Sequence, residues 1–394
     1  MSARRSVAFV IQRYGAEITG GSESLARAVA ERLATEHDVT VYTTCARDYV
    51  TWRNQLPPGE QALNGVRVRR FAVEEERDLA AFNAFSDTLY DRPHTAADEA
   101  TWLRRQGPYV PALVEALRRE GGRHDAIFFF TYLYYPTVAG LEAAPARSIL
   151  VPTTHDEPPL RFALYRELFA RARAFAFLTR PEEALVRARF DVGPRPAEVA
   201  GIGVEAPEAP DVAGFRARHG LGARPYFLYA GRIDAGKGCA EMLSFYAAYR
   251  ERAADPLPLL LIGALNMALA GAPGVAHLGY LDEGEKAAAI AGAQAVICPS
   301  PYESLSIVLL EAMACGVPTV SNARSAVLLD HSRRSNGGLF YEDADECAAV
   351  LERLQGDAAL HRALGQAGRR YVVQNYRWPA VMERYRKLID AVAP

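Results

Sequence analysis

Lysine is nearly absent from this 394-residue chain: of its 45 basic residues only Lys237, Lys286 and Lys387 are lysine, and the other 42 are arginine. The skew is typical of a coding bias, and it makes each remaining lysine a candidate for a specific role. A basic excess is absent as well, since the formal net charge is -2. The composition therefore argues against a nucleic-acid partner.

Cysteine pairing and long apolar runs are also missing. The five cysteines are scattered and show no CxxC spacing, which favours reduced thiols over disulfides or a metal site. The longest uncharged stretch, Leu257–Tyr280, is interrupted by prolines and glycines, and the apolar run near the N-terminus is too short for a signal peptide. We expect a cytoplasmic protein, and peripheral contact with the inner face of the membrane stays open.

Short apolar, β-branched or aromatic segments alternate with longer amphipathic ones along the chain. Such alternation predicts parallel sheets covered by helices on both faces. We predict seven strands before the proline-rich segment Glu205–Val212 and six after it. The predicted fold class is α/β: two doubly wound, Rossmann-like domains that face a central cleft, with ligands at the carboxyl ends of the strands.

The domain boundaries follow from the same pattern. The length predicts two domains, which we place at residues 1–205 and 206–375. The amphipathic segment at about 376–394 allows packing on either domain.

A glycine-containing loop, "QRYGAEITGGSESL" (Gln12–Leu25), directly follows the first predicted strand. Gly20 and Gly21 let the backbone approach an anion, and the helix that opens after them presents free N–H groups. An ordinary β–α turn, with Ser22 as the N-cap and Glu23 facing the helix dipole, would look the same. The motif predicts contact with phosphate or substrate and leaves that alternative open.

The segment "YAGRIDAGKG" (Tyr229–Gly238) follows the first strand of the second domain. Arg232 and Lys237 can converge on one diphosphate, the arginine as a fork and the lysine as a point charge. The glycines on either side of Lys237 leave room for a ligand, and Gly231 is a further candidate nucleotide-binding residue. Two surface cations in a turn are the alternative interpretation. Because Lys237 persists where arginine is the rule, we predict a diphosphate site.

The segment "PTTHDEPP" (Pro152–Pro159) places His155 at the end of a central strand of the first domain. A histidine there can donate to a sugar hydroxyl or orient an acceptor. A histidine bonded to a loop carbonyl is the alternative. The position at the carboxyl end of a strand favours a functional role.

Two acids, Glu303 and Glu311, bracket the uncharged residues of "YESLSIVLLE". We predict a helix over Leu305–Cys315 whose first free amides, at Ser304–Ser306, bind an anion. If the whole segment were helical, the acids would lie roughly 12 Å apart along the axis. They would then bind different parts of one extended ligand. The alternative is that Glu303 is only a helix-start acid and Glu311 only an exposed residue. However, an acid on so apolar a helix as that of Glu311 needs a partner, and a ribose diol would supply one.

In this order, the motifs resemble the GT-B fold retaining glycosyltransferases of family 4. The resemblance covers nearly the whole chain, from "GGSE" through "THD" and "GRIDAGKG" to the E-x7-E pair followed by "ACGVPT". It implies transfer of a sugar from a UDP- or GDP-sugar to the hydroxyl of a saccharide or lipid-linked acceptor, with retention of anomeric configuration and with no metal or other cofactor. Synthesis of cell-surface polysaccharide, lipopolysaccharide or glycolipid is the implied pathway class.

The resemblance also implies roles for individual residues. Arg232 and Lys237 would hold the diphosphate, Glu311 the ribose hydroxyls and Glu303 those of the donor sugar. The amides around Ser304–Ser306 would cradle donor sugar and phosphate.

The first domain would contribute as well. His155 would contact the transferring sugar, and Gly20 and Gly21 would line the site from the acceptor side. By the same resemblance, the tail after Trp378 would return to the first domain.

Two other functions remain open from the sequence: a nucleotide-sugar epimerase of the same architecture and a non-catalytic nucleotide-binding protein. The chain departs from the family pattern at "IGALNMALAG" (Ile262–Gly271), where a glycine-rich loop is common. The choice between uridine and guanosine is therefore open, and Asp330 and His331 receive no assignment.

Overall fold

The computed structural model of the protein describes residues 4–18, 20–269 and 271–393. The chain divides into two compact units. The first comprises the described residues up to Ile202 together with the segment from Val381 onwards, and the second comprises Gly203–Ala380. Each unit is built around its own sheet.

The sheet of the first unit has eight strands in the order β3-β4-β2-β1-β5-β6-β7-β8. All neighbours are parallel except the β3–β4 pair. The strands are β1 Ser6–Val10, β2 Asp38–Thr44, β3 Gly59–Leu63, β4 Val66–Phe71, β5 Ala126–Phe130, β6 Ser148–Val151, β7 Ala174–Phe177 and β8 Ala197–Val199. The strand order reverses between β1 and β5, so loops at their carboxyl ends diverge and leave a crevice there.

Seven α-helices of the first unit connect or flank these strands: α1 Gly21–Leu33, α2 Leu79–Leu89, α3 Ala96–Gln106, α4 Pro111–Glu120, α5 Tyr135–Ala143, α6 Ala163–Arg171 and α7 Arg180–Arg189. The central strands β5 and β6 are buried along their whole length. Strands covered on both faces read as continuous apolar runs, which is why "AIFFF" and "SILV" carry no alternation.

The second unit has six parallel strands in the order β11-β10-β9-β12-β13-β14. They are β9 Phe227–Ala230, β10 Leu259–Ile262, β11 Val275–His277, β12 Ala295–Cys298, β13 Thr319–Asn322 and β14 Gly338–Tyr341. Its helices are α8 Val212–Arg218, α9 Cys239–Arg252, α10 Glu283–Ala291, α11 Ile307–Ala314, α12 Ala326–Ser335, α13 Ala344–Gly356 and α14 Ala358–Asn375. Here the order reverses between β9 and β12.

The last helix, α15 Trp378–Val392, returns the chain to the first unit. The Tyr385 hydroxyl donates to the Gly201 carbonyl at 3.1 Å, and its ring lies 5.7 Å from that of Phe128. Arg386 forms an ion pair with Glu36 at 2.7 Å. The C-terminal residues are therefore part of the first unit's fold.

The predicted strands all appear, within a few residues at their ends, and one further strand does not follow from the sequence pattern. β3 reads "GEQAL" and is mostly exposed at the sheet edge, so no apolar alternation marks it. Helices α3, α5, α8 and α12 were likewise not assigned from periodicity. Within the described residues, no helix is both long and apolar enough to span a membrane.

A close approach of two strand ends explains one glycine of the second unit. Gly263 follows β10 with φ +126°, and a Cβ there would lie 2.0 Å from the Gly231 carbonyl oxygen after β9. The backbones of these two loops can meet only because residue 263 has no side chain.

We therefore expect Gly263→Ala to destabilise the second unit by about 3 kcal/mol or more, because backbone strain and a backbone clash add. Gly279→Ala is the matched control, since Gly279 has φ +76° but open space around the Cβ position. It should cost only about 1 kcal/mol. Urea unfolding measures both, and equal losses would contradict the steric argument.

Candidate functional site

The two central strands of the second sheet bring two of the predicted motifs together. β12 pairs directly with β9, and the loops that follow them carry Glu303 and Lys237. The Lys237 Nζ lies 2.8 Å from Glu303 Oε1, with side-chain exposures of 30% and 18%. A cation and a carboxylate therefore meet, partly shielded from water, at the point where the strand order reverses.

The loop after β9 is fixed by its own hydrogen bonds. The Tyr229 hydroxyl donates to the Arg232 carbonyl at 2.6 Å, and the Asp234 carboxylate accepts from the Lys237 amide at 2.9 Å and caps a short 3-10 turn. Arg232 itself is half exposed, with its Nε 3.7 Å from Asp234. The loop thus holds both predicted diphosphate ligands, Arg232 and Lys237, within six residues.

Gly238 connects this loop to the next one. It adopts φ +74°, and a Cβ there would lie 2.5 Å from the Pro299 carbonyl oxygen. Pro299 begins the loop after β12. Only glycine allows this approach, which sets the position of Lys237 relative to Glu303.

Helix α11 begins later than predicted. Its first residue is Ile307, and Ser306 precedes it at φ +64° without a side-chain cap. The predicted helix start at Leu305 is therefore wrong, because Ser304 and Leu305 belong to the preceding loop and Ser306 is the N-cap. Leu305 is also buried. Anion binding by the amides of Ser304–Ser306 stays a prediction. The first-turn amides belong to Ile307–Leu309.

The predicted 12 Å separation of the two acids is also wrong as derived, because it assumed a helix from Glu303 onwards. Only Glu311 is helical, as the fifth residue of α11. The left-handed residue Ser306 separates it from Glu303.

Glu311 has a partner, Lys286, that the sequence motifs do not identify. Lys286, in α10, places its Nζ 2.9 Å from Glu311 Oε1 and 2.7 Å from Glu283. Burial raises the pKa of the Glu311 carboxyl, and Lys286 acts in the opposite direction. For Lys286, burial acts against the charged form, but the two carboxylates prevail and raise its pKa. The scarcity of lysine was the sequence signal that could have identified it.

Two of the three lysines of the chain therefore pair with the two glutamates of the E-x7-E motif. The pairs Lys237–Glu303 and Lys286–Glu311 are both less than one third exposed. At such depth, Coulomb attraction is stronger than on an open surface. The second unit thus has two preformed polar positions, Lys237–Glu303 and Lys286–Glu311, and each of them has a hydrogen-bond donor and an acceptor.

In the first unit, the glycine loop is shaped by Glu23. Helix α1 starts at Gly21, so Ser22 is not its N-cap. The buried Glu23 carboxylate forms an ion pair with Arg13 at 2.6 Å, and a Cβ on Gly20 would lie 2.2 Å from that carboxylate. Gly20 thus makes room for Glu23; Thr19 of this motif lies outside the described residues.

His155 lies in the loop after β6, about one third exposed. Its Nε2 is 3.4 Å from Glu157 Oε2, and the other oxygen of Glu157 accepts from the Tyr132 hydroxyl at 2.7 Å. Glu157 thus links the loops that follow β5 and β6 and lies beside the imidazole.

Across residues 4–18, 20–269 and 271–393, no group of three or more His, Cys, Asp or Glu side chains is arranged to hold a metal ion. The predicted independence from metal stays a prediction.

Comparison with known proteins gives a family match within the second unit. Residues 224–357 match the family model described as glycosyl transferases group 1. The chain is 30% identical over 190 residues to alpha-maltose-1-phosphate synthase of Mycobacterium tuberculosis, a match over 42% of the chain and 48% of that protein. The chain thus spans about half the length of this curated relative.

A more distant relative aligns end to end. The D-inositol 3-phosphate glycosyltransferase of Arthrobacter sp. is 26% identical over 437 residues, 99% of the chain and 97% of that protein. Among solved structures, the sucrose-phosphate synthase of Thermosynechococcus elongatus matches with a TM-score of 0.73 at 20% identity, over 98% of the chain and 100% of that structure. Anabaena HepE in complex with UDP and glucose matches with a TM-score of 0.69 at 14% identity, over 98% and 100%. The predicted GT-B fold is confirmed; family 4 stays a prediction.

The Lys286–Glu311 pair yields a stability test. We expect Lys286→Met to lower the free energy of unfolding by about 2 kcal/mol at pH 8, because a buried carboxylate loses its cation. Burial already raises the pKa of Glu311, so ionisation of this carboxyl lowers the free energy of unfolding as the pH rises. In Lys286→Met this loss becomes larger, because the carboxylate has lost its cation. The difference from wild type should shrink as the pH falls, because protonation of Glu311 in the variant removes the unpaired charge.

Glu283→Gln is the control, since it removes the exposed partner of the same lysine and should change stability by at most about 1 kcal/mol. Denaturant unfolding from pH 5 to 8 measures all three proteins. A Lys286→Met deficit that does not depend on pH would contradict the assignment.

Proposed function

We propose that this chain, whose second unit carries a glycosyl transferases group 1 domain, transfers a sugar from a UDP- or GDP-sugar to a hydroxyl acceptor. The observation that carries the proposal is the contact of Lys237 with Glu303 at the strand-order reversal of the second sheet. A nucleotide sugar offers both groups a ligand: its diphosphate suits the lysine, and its sugar hydroxyls suit the carboxylate.

At the diphosphate, Lys237 and Arg232 supply positive charge, with Gly231 leaving room for the ligand. Arg232 is half exposed, so its guanidinium can reorient towards an entering phosphate. As the bond to the sugar breaks, negative charge grows on the leaving nucleotide, and fixed cations stabilise it most at that moment. The first-turn amides of α11, at Ile307–Leu309, are a further donor set for sugar or phosphate.

The two glutamates take separate parts of the donor. Glu303 accepts hydrogen bonds from the transferred sugar, and Glu311 accepts those of the ribose. Lys286 keeps Glu311 ionised and oriented, which the contact at 2.9 Å supports. A carboxylate that is already ordered loses little entropy on binding a diol.

The reaction proceeds by departure of the nucleoside diphosphate and attack of the acceptor hydroxyl on the same face, with retained configuration and no metal requirement. His155 contacts the transferring sugar, and the loop of Gly20 and Gly21 serves the acceptor side. The acceptor is a saccharide or a lipid-linked saccharide in cell-surface glycan synthesis. The reaction takes place in the cytoplasm, and a lipid-linked acceptor would bring the protein to the inner face of the membrane.

The comparisons support the reaction class. The relatives include a maltose-1-phosphate synthase and an inositol phosphate glycosyltransferase, and HepE, of the same fold, was solved with UDP and glucose.

A thermal-shift screen against UDP, GDP, ADP and their sugars tests donor binding, because a ligand that binds the folded state raises the melting temperature. We expect a shift with one uridine or guanosine series. Lys237→Ala and Glu311→Ala should each reduce that shift, since each removes a ligand of the donor. Lys387→Ala, at an exposed lysine of α15, should not. Wild-type shifts in both site variants would refute the donor site.

Product analysis separates the reaction from its alternative. Incubation with donor and acceptor should yield nucleoside diphosphate and a glycoside whose anomeric configuration, read by proton NMR, matches that of the donor. An isomerised nucleotide sugar formed without acceptor would identify an epimerase instead, and an inverted product would refute retention.

Turnover that survives chelation of divalent ions is expected, and its loss on chelation would refute metal independence.

A further inference from the structure

A buried glutamate of the first unit holds the chain beside His155. Glu182 lies in the first turn of α7 and is 2% exposed. Its Oε1 accepts from the Thr154 amide at 2.6 Å and the Thr154 hydroxyl at 3.3 Å, and its Oε2 accepts from the Leu178 amide at 2.5 Å. One carboxylate therefore ties the end of β7 to the loop after β6.

The tie falls at a strained point of that loop. Thr153, one residue before Thr154, has φ +55°, a left-handed conformation that is unfavourable for a β-branched residue. Such a backbone persists only where neighbouring contacts hold it. The bond from the next amide to Glu182 is such a contact, and the residue that follows Thr154 is His155.

We propose that Glu182 is a positioning residue that fixes His155 for sugar transfer. This inference rests on the proposed function, in which His155 contacts the sugar. In this role Glu182 acts by setting the direction in which the chain leaves β6.

Both oxygens of the carboxylate are needed. Each accepts from a different amide, so an amide side chain in its place would present an N–H group to one of two N–H donors. Glu182→Gln keeps the volume of the side chain but loses one half of the tie. Leaving a buried amide without an acceptor is unfavourable, so the loop should relax away from its strained conformation.

The ionisation state of Glu182 gives a second test, because it makes the hydrogen bonds of the carboxylate depend on pH. Burial raises the pKa of the Glu182 carboxyl to about 7, while the amides of Leu178 and Thr154 and the nearby His155 act in the opposite direction. On α15, Tyr385 interacts with Glu182, and Arg384 lies close to Tyr385. Below about pH 7 the carboxyl gains a proton and loses one acceptor position, so the tie should weaken as pH falls.

The experiment compares Glu182→Gln with Glu183→Gln, its neighbour in the same turn, whose carboxylate is partly exposed and pairs with Arg187 at 2.8 Å. We expect Glu182→Gln to lower kcat roughly 100-fold, the order expected when a reacting group is displaced by about 1 Å. Binding of nucleoside diphosphate to the second unit should stay as in wild type. Glu183→Gln should leave both unchanged.

A double-mutant cycle with His155→Ala distinguishes positioning from general damage. If Glu182 acts through His155, Glu182→Gln should cost little more once His155 is gone, because the two losses are coupled. Independent, multiplying losses would overturn the proposal. In wild type, kcat/KM should fall below about pH 7, and this limb should be absent in Glu182→Gln.

A measurement that does not depend on enzymatic activity tests the inference separately from the proposed function. The ring signals of His155, assigned by their loss in His155→Ala, should shift in the NMR spectrum of Glu182→Gln and not in that of Glu183→Gln. Unchanged His155 signals would overturn the inference even if the protein proves to be a transferase, whereas a wild type inactive on every donor would refute only the function. Should Glu182→Gln fail to fold, Glu182→Asp, which keeps both oxygens on a shorter chain, gives the same comparison.

Discussion

A carboxylate removed from water needs a donor, and this requirement shapes the carboxyl edge of both sheets. Isolated buried charges are far more costly than the stability of a whole domain allows. In the second unit, lysines meet the requirement for Glu303 and Glu311; in the first, backbone amides meet it for Glu182. In every case the partner comes from a different loop or helix than the acid. Satisfying the charge therefore also connects neighbouring segments: two strand-end loops for Glu303, two helices for Glu311, and the segments after β6 and β7 for Glu182.

The topology decides which loops can be joined in this way. Parallel strands place all their carboxyl ends at one edge, and the reversal of strand order between β9 and β12 leaves their loops side by side. Gly238 allows the loop after β9 to contact the Pro299 carbonyl after β12, and Gly263 allows the loop after β10 to contact the Gly231 carbonyl after β9. Because these approaches involve main-chain atoms, they constrain the loops that carry Lys237 and Glu303, while both side chains can still rotate. The arrangement of these loops thus follows from the strand order and from the two glycines, which have no side chain.

The sequence predicted the strands and the motif-bearing loops because apolar runs and glycines carry those signals locally. It could not predict the start of α11, because Ser306 adopts a left-handed conformation that serine rarely takes. The sequence also could not identify the partner of Glu311. The apolar context of Glu311 indicates that the acid needs a partner, but Lys286 lies 25 residues away along the chain. The only sequence signal for Lys286 is the scarcity of lysine in the chain. Glu182 was hidden for the opposite reason. Thr179 and Glu182 have the spacing of a capping box, so the acid looked like an ordinary helix-start residue.

The two kinds of donor have different consequences for a ligand. A lysine held by a carboxylate remains a cation with further N–H groups, so a diphosphate can compete for it and the pair can rearrange around the donor sugar. A backbone amide held by Glu182 offers nothing further to an anion, since its single hydrogen is used. In the proposed function, the edge of the second unit can therefore respond to a bound nucleotide. The proposed role of Glu182 is the opposite one, to hold the loop of His155 in one conformation.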